Sequence, residues 1–126
     1  MPRPLLAIVN PTALAANLAV ARERAAGRRL WAVAKANAYG HGIERAARAF
    51  AAADGLGVLE VEEAQRARAA GWRKPILLLE GAFDGTDQAQ AEGLDLTLVV
   101  HCAEQVLMLE RARPARPIAV YLKLDT

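Results

Sequence analysis

"LTLVVHCAEQVLMLERARPARPIAVYLKLD", residues 96–125, contains one complete structural unit. An apolar run, "LTLVVH" (96–101), leads into "AEQVLMLERAR", which sets Val106, Leu107 and Leu109 at helical spacing and stops before Pro114. A second apolar run, "IAVYLKLD" (118–125), follows. Strand, helix and strand joined at this length make a right-handed crossover between parallel strands.

The same unit recurs towards the N-terminus as "LWAVAK" (30–35), "LGVLE" (56–60) and "PILLLE" (75–80). The residues that end the five apolar runs are Lys35, Glu60, Glu80, His101 and Lys123, at intervals of 25, 20, 21 and 22 residues. Helical segments fill the gaps: "GIERAARAFAAADG" with Ile43, Ala47 and Phe50 on one face, and "EVEEAQRARAAG". Between the third and fourth strands "TDQAQAEG" offers only a turn or two. Gly27, Gly55 and Gly71 stand where helix C-caps belong, and "GLG" at 55–57 reads as a turn. No GxGxxG follows a strand, which removes the usual dinucleotide signature. Such a parallel sheet is either doubly wound or an arc of a barrel; the near-uniform repeat and almost continuous apolar strands favour an α/β protein that is a partial (β/α)₈ TIM barrel of about five βα repeats with parallel strands.

Ahead of the repeat, residues 1–10 are expected to hold a short strand, "LLAIV" (5–9), outside the barrel. Asn10 and Pro11 then open a helix with a cap and a first-turn proline. Leu14, Leu18 and Ala21 form its apolar side, and it ends near Gly27. Residues 11–126 make up the partial barrel domain.

Composition removes several classes of chemistry. The chain has 126 residues, 54% hydrophobic and 24% charged, with a net charge of +2. Arg22, Arg24, Arg45, Arg48, Arg66 and Arg68 are scattered along helices and read as solvated faces, not as a nucleic-acid footprint. No run approaches the roughly 20 apolar residues of a membrane span, and the N-terminal run is too short for a secretory signal. Cys102 is the only cysteine, so no intrachain disulfide forms, which fits a reducing cytoplasm. There is no serine to act as nucleophile, and His41, His101 and Cys102 lack metal-ligand spacing, so no metal is expected. Lysine is scarce, three residues against thirteen arginines. Lys74 sits in the polar turn "GWRKP", whereas Lys35 and Lys123 sit in apolar strands.

In a barrel the C-terminal strand ends form the catalytic face. Glu60, Glu80 and His101 read equally well as wet strand ends. Lys35 differs. Trp31, Val33 and Lys35 share one face of an extended strand, and continued extension adds Asn37 and Tyr39. An amine pressed against apolar walls loses hydration, which favours its neutral, nucleophilic form. Such a lysine suits a Schiff base with a carbonyl compound, either a substrate or pyridoxal phosphate; the alternative is pairing with a rim carboxylate. In the last strand Tyr121, Lys123 and Asp125 share a face expected to line the mouth, while Val120, Leu122 and Leu124 face the helices.

"AVAKANAYGHG" (32–42) closely resembles the pyridoxal-phosphate signature of the alanine racemases, and "KANAYGHG" carries most of the specificity. "PILLLEG" (75–81), "LTLVVH" (96–101) and "VYLKLDT" (120–126) resemble the same family in the same order, so the likeness spans essentially the whole chain. Ala34 departs from the pattern where valine is common. The resemblance implies a cytoplasmic, homodimeric isomerase that interconverts L-alanine and D-alanine. Lys35 would hold pyridoxal 5′-phosphate and act as the catalytic base that removes the α-proton of D-alanine. Tyr39 would hydrogen-bond the cofactor phosphate, and Lys123 matches a lysine that many members carbamylate. It also implies that these residues correspond to the first third of such an enzyme. They would lack the opposing base, the substrate-binding arginine and the C-terminal β domain, and be inactive alone. Other readings are a broad-specificity amino-acid racemase, a non-catalytic pyridoxal-phosphate-binding barrel, and a non-enzymatic interaction module.

Overall fold

A computed structural model describes residues 3–124. The elements run α1 (Pro11–Arg24), β1 (Trp31–Val33), α2 (Lys35–Tyr39), α3 (Ile43–Ala49), β2 (Gly55–Val58), α4 (Val61–Ala69), β3 (Ile76–Leu78), α5 (Gly85–Gly93), β4 (Thr97–Val100), α6 (Ala103–Ala112) and β5 (Val120–Leu122). The five strands form one sheet in sequence order, every neighbouring pair parallel. That is the predicted partial barrel, including the weakly signalled α5, whose start is fixed by Asp84 accepting from the Thr86 and Asp87 amides.

Register assigns the two faces. Ala32, Leu56 and Ile76 lie side by side, as do Val58, Leu78, Leu98 and Val120. These residues face the helices, and from Leu56 to Leu98 they are almost wholly buried against Ile43, Ala46, Ala64 and Ala67. The alternate rows, Trp31 with Gly55, Val33 with Gly57 and Leu77, and Val99 with Tyr121, form the concave inner face. There the Trp31 and Tyr121 rings, from the first and last strands, meet edge to face with centroids 6.2 Å apart. Contact across three intervening strands requires a strongly curled sheet, an arc of a barrel.

Gly55 makes that contact achievable, and its role corrects the expected helix cap. Helix α3 already ends at Ala49, and Gly55 is the first residue of β2. A Cβ at Gly55 would collide with the Trp31 indole ring. "GLG" is therefore buried strand, with Leu56 packed towards the helices and Gly55 and Gly57 bare on the inner face, where Trp31 and Leu79 lie over them. Gly27 and Gly71 do occupy left-handed positions just beyond α1 and α4.

Asn10 caps α1 as expected, its side chain accepting from the Thr12 and Ala13 amides. The buried side of α1 carries Leu14, Leu18 and Arg22; Ala21 is exposed. Residues 5–9, expected as a strand, pair with no strand among the described residues, and Leu5, Leu6 and Ile8 are exposed. A strand is defined by its ladder partner, and an apolar pattern alone does not supply one.

The arginines are not uniformly solvated either. Arg22 bonds to the Asp54 carboxylate and the Ala52 carbonyl. Arg68 is partly buried and donates to the carbonyls of Trp72, Lys74, Leu94 and Asp95. Its guanidinium is shifted downward by desolvation. Lys74 donates to the Ala51 and Ala53 carbonyls at 2.7 and 2.8 Å. These cations tie down the loops at the N-terminal ends of the strands.

Candidate active site

At the opposite end of the sheet, the strand C-termini surround an open cavity of about 530 Å³. Its walls are the inner-face residues Val33, Leu59, Leu77, Leu79, Val99 and Tyr121. Four polar groups project into it from the rim: Lys35 and Tyr39 on one side, and Lys123 with Glu80 on the other. The sequence placed Lys35, Tyr39 and Lys123 at this mouth, and the structure brings all three to one cavity.

It does so by a route the alternation did not foresee. Extended backbone stops at Val33, and the chain enters a left-handed turn in which Ala36, Asn37, Ala38 and Tyr39 all have φ between 52° and 55°. A left-handed conformation costs an L-residue about 1–2 kcal/mol, and four in succession need strong external support. Some comes from the backbone: the Ala38 amide donates to Ala34, Gly40 to Ala36, and Gly42 to Asn37. Gly40 and Gly42 complete the exit at positive φ. The turn keeps Tyr39 on the cavity beside Lys35 but withdraws Asn37. The Asn37 carbonyl oxygen Oδ1 instead accepts from the Ile43 amide and from Arg66, both at 3.0 Å.

Lys35 is half-buried, and among the described residues no carboxylate lies within ion-pairing distance of it. The rim-carboxylate alternative applies to Lys123, whose Nζ lies 3.2 Å from both Glu80 oxygens. Lys123 lies just past β5, its amide still bonded to the Val100 carbonyl. Tyr121 lines the cavity with it and Val120 belongs to the helix-facing row, as the alternation predicted, but Leu122, expected to face the helices, also borders the cavity, and Leu122 and Leu124 are both exposed. His101 Nε2 lies 3.2 Å from the Glu80 carbonyl and 3.7 Å from its carboxylate. Buried Gln105 fixes this corner, donating to the Glu80 carbonyl and accepting from the His101 amide.

Two supporting residues escaped the reading of the sequence. Glu63, read as part of a polar helix, is buried and accepts hydrogen bonds from the Asn37, Leu59 and Glu60 amides. Arg66 forms a two-pronged pair with Glu44, at 2.7 and 2.9 Å, and reaches Asn37 with the same guanidinium. That hydrogen bond holds the Glu44 carboxyl below its ordinary range and raises Arg66. The only available signal was an i, i+3 spacing of carboxylate and guanidinium on a helix that follows a strand end.

The donor set can be matched against candidate ligands. No group of three or more histidine, cysteine or carboxylate side chains among the described residues could hold a metal ion. A primary amine without a carboxylate partner, a phenol and apolar walls do fit a flat aromatic aldehyde that bears an anionic group. A cavity of this volume falls within the roughly 300–1,000 Å³ of small-molecule sites.

Residues 9–126 match the family model described as "Alanine racemase, N-terminal domain". The chain is 54% identical over its whole length to an alanine racemase of Janthinobacterium sp. (strain Marseille), of which it covers 35%. It is 53% identical to that of Cupriavidus metallidurans, covering 34%. Among solved structures, the biosynthetic alanine racemase of Pseudomonas aeruginosa superposes with a TM-score of 0.85 at 42% identity, over 89% of this chain and 32% of that one. The alanine racemase of Acinetobacter baumannii gives 0.85 at 31% identity, over 93% and 36%. The chain thus spans about a third of the length of the curated relatives it matches.

Proposed function

The chain belongs to the family of alanine racemase N-terminal domains, and from that premise we propose that it forms the lysine-bearing part of a pyridoxal-phosphate-dependent alanine racemase. The observation that carries the reading is Lys35. It is an amine without a carboxylate partner among the described residues, at the apolar mouth of a parallel barrel arc, beside a phenol. Lys35 would hold the cofactor covalently through Nζ, and Tyr39 would donate its hydroxyl to the phosphate. When bound, pyridoxal phosphate supplies an electron sink that makes the α-hydrogen of an amino acid acidic enough to remove.

The remaining chemistry falls to side chains. When not engaged in holding the cofactor, Lys35 Nζ would take the α-proton from D-alanine and return one in the reverse direction. Leu59, Leu77, Leu79 and Val99 would form the apolar floor under the reacting carbon. Racemisation needs a second base on the other face of that carbon. We assign it to the two-thirds of the homologous enzymes that lie outside the matched length, contributed across a homodimer. Lys123 secures the far rim through Glu80. Carbamylation there would replace a cation with an anion and release Glu80, and the mass of the Lys123 peptide under carbon dioxide reads it. The lone Cys102 favours a reducing compartment, hence the cytoplasm.

The test is to incubate the complete natural polypeptide with pyridoxal phosphate and L-alanine in deuterium oxide. D-alanine should form with deuterium at Cα, well above the rate of free cofactor. No turnover above that control would overturn the assignment.

A further inference from the structure

We propose that Glu63, a buried carboxylate on α4, is a positioning residue that holds the left-handed turn in the shape that presents Lys35 and Tyr39 to the cavity. The inference rests on the functional reading of Lys35 given above, but its physical basis is separate. Glu63 is 7% exposed, and its two oxygens serve different segments. Oε1 accepts from the Asn37 amide at 2.6 Å, in the middle of the turn. Oε2 accepts from the Leu59 and Glu60 amides at 3.1 and 3.3 Å, where β2 passes into α4. One side chain therefore fixes the strained turn against the loop that supplies Leu59, another cavity wall.

Three amide donors converge on one group, and only a group with no donor of its own satisfies all three. Glutamine would point its own N–H₂ at one of them. Aspartate keeps the charge but falls a methylene short of spanning both segments. Arg66, one turn further along α4, secures the same residue by its side chain and is itself braced by Glu44. Asn37 is thus held from α4 at both its amide and its Oδ1. Left-handed backbone at Ala36, Asn37, Ala38 and Tyr39 persists only where its surroundings over-determine it, and this pair of ties supplies that constraint from outside the turn.

The experiment compares the complete natural polypeptide with Glu63→Gln, Glu63→Asp and a control, Ala67→Gly. The control loosens the same helix one turn on, at a buried position whose methyl side chain can make no hydrogen bond to Asn37. Amide hydrogen exchange at Asn37, pyridoxal-phosphate affinity by absorbance titration, and racemase kcat and KM are measured for each. Glu63→Gln should speed Asn37 exchange and weaken cofactor binding, each by about tenfold or more, the scale of one hydrogen bond to a charged group. It should lower kcat more than it raises KM. Glu63→Asp should show the same pattern to a lesser degree, and it carries the test if the glutamine variant does not fold. The proposal is overturned if Asn37 exchange and cofactor affinity stay at wild-type values. It is equally overturned if Ala67→Gly, at a matched fall in melting temperature, reproduces every change. If wild-type protein takes up no pyridoxal phosphate on Lys35, the functional reading fails, and Asn37 exchange alone then decides whether Glu63 holds the turn.

Discussion

The two ends of the sheet use the same cationic side chains for opposite purposes. At the N-terminal ends of the strands Arg68 and Lys74 donate to backbone carbonyls, so their charges are absorbed by loop closure. At the C-terminal ends Lys35 has no carboxylate partner among the described residues and borders an apolar cavity with Tyr39. A lysine whose hydrogens are consumed by carbonyls is architecture. One left beside apolar walls and a phenol is available for chemistry. Lys123, paired with Glu80 on the same rim, lies between these cases.

The comparison can be broken most decisively at Lys35. Lys35→Ala and Lys35→Arg should each lower racemisation by ~10³-fold or more, because anchor and base are lost together and arginine does not give up its proton. Steady-state assay with saturating cofactor checks this, and substantial activity in either variant would erase the distinction between the two ends. Arg68→Met attacks the other end. It strands several loop carbonyls and should cost about 1–3 kcal/mol of stability while leaving cofactor affinity per folded molecule unchanged. Urea titration paired with cofactor titration separates the two effects.

Gly55→Ala probes the inner face that joins the ends. The added methyl forces the Trp31 ring from its place against Tyr121, a strain of about 1–3 kcal/mol seen as an earlier melt and altered tryptophan fluorescence. The smallest effect is expected at Asp54, on the N-terminal side. Its carboxyl lies below the ordinary aspartate range because it accepts from the Leu30 amide and from Arg22. A depressed folded-state value means that the unfolded chain binds protons first as pH falls. The stabilisation is therefore complete above about pH 4 and disappears as pH drops through the folded-state value. Asp54→Asn should flatten the acid limb of melting temperature against pH and leave the neutral region nearly level.

Much of this was legible in the chain. The spacing of Lys35, Glu60, Glu80, His101 and Lys123 predicted five parallel strands with their polar ends at one mouth, because a crossover of near-constant length permits little else. Alternation also predicted the facing of Tyr121 and Val120. The left-handed turn was not legible. Of Ala36, Asn37, Ala38 and Tyr39 only asparagine favours that conformation locally, so the shape comes from Glu63 and Arg66, distant in sequence. Gly55 was misread for a related reason: its meaning lies in the Trp31 ring on the neighbouring strand, and no local rule reports a contact made across the sheet. Cross-strand and helix-to-turn contacts decide the details of the site, whereas periodicity decides its location.

Borohydride reduction of the protein incubated with pyridoxal phosphate, followed by peptide mapping, identifies the amine that holds the cofactor. The reduction fixes the cofactor to whichever amine holds it. The account predicts a single pyridoxyl group on Lys35, with Lys74 and Lys123 unlabelled. Labelling concentrated on Lys74 or Lys123, or spread evenly over the three lysines, would contradict it.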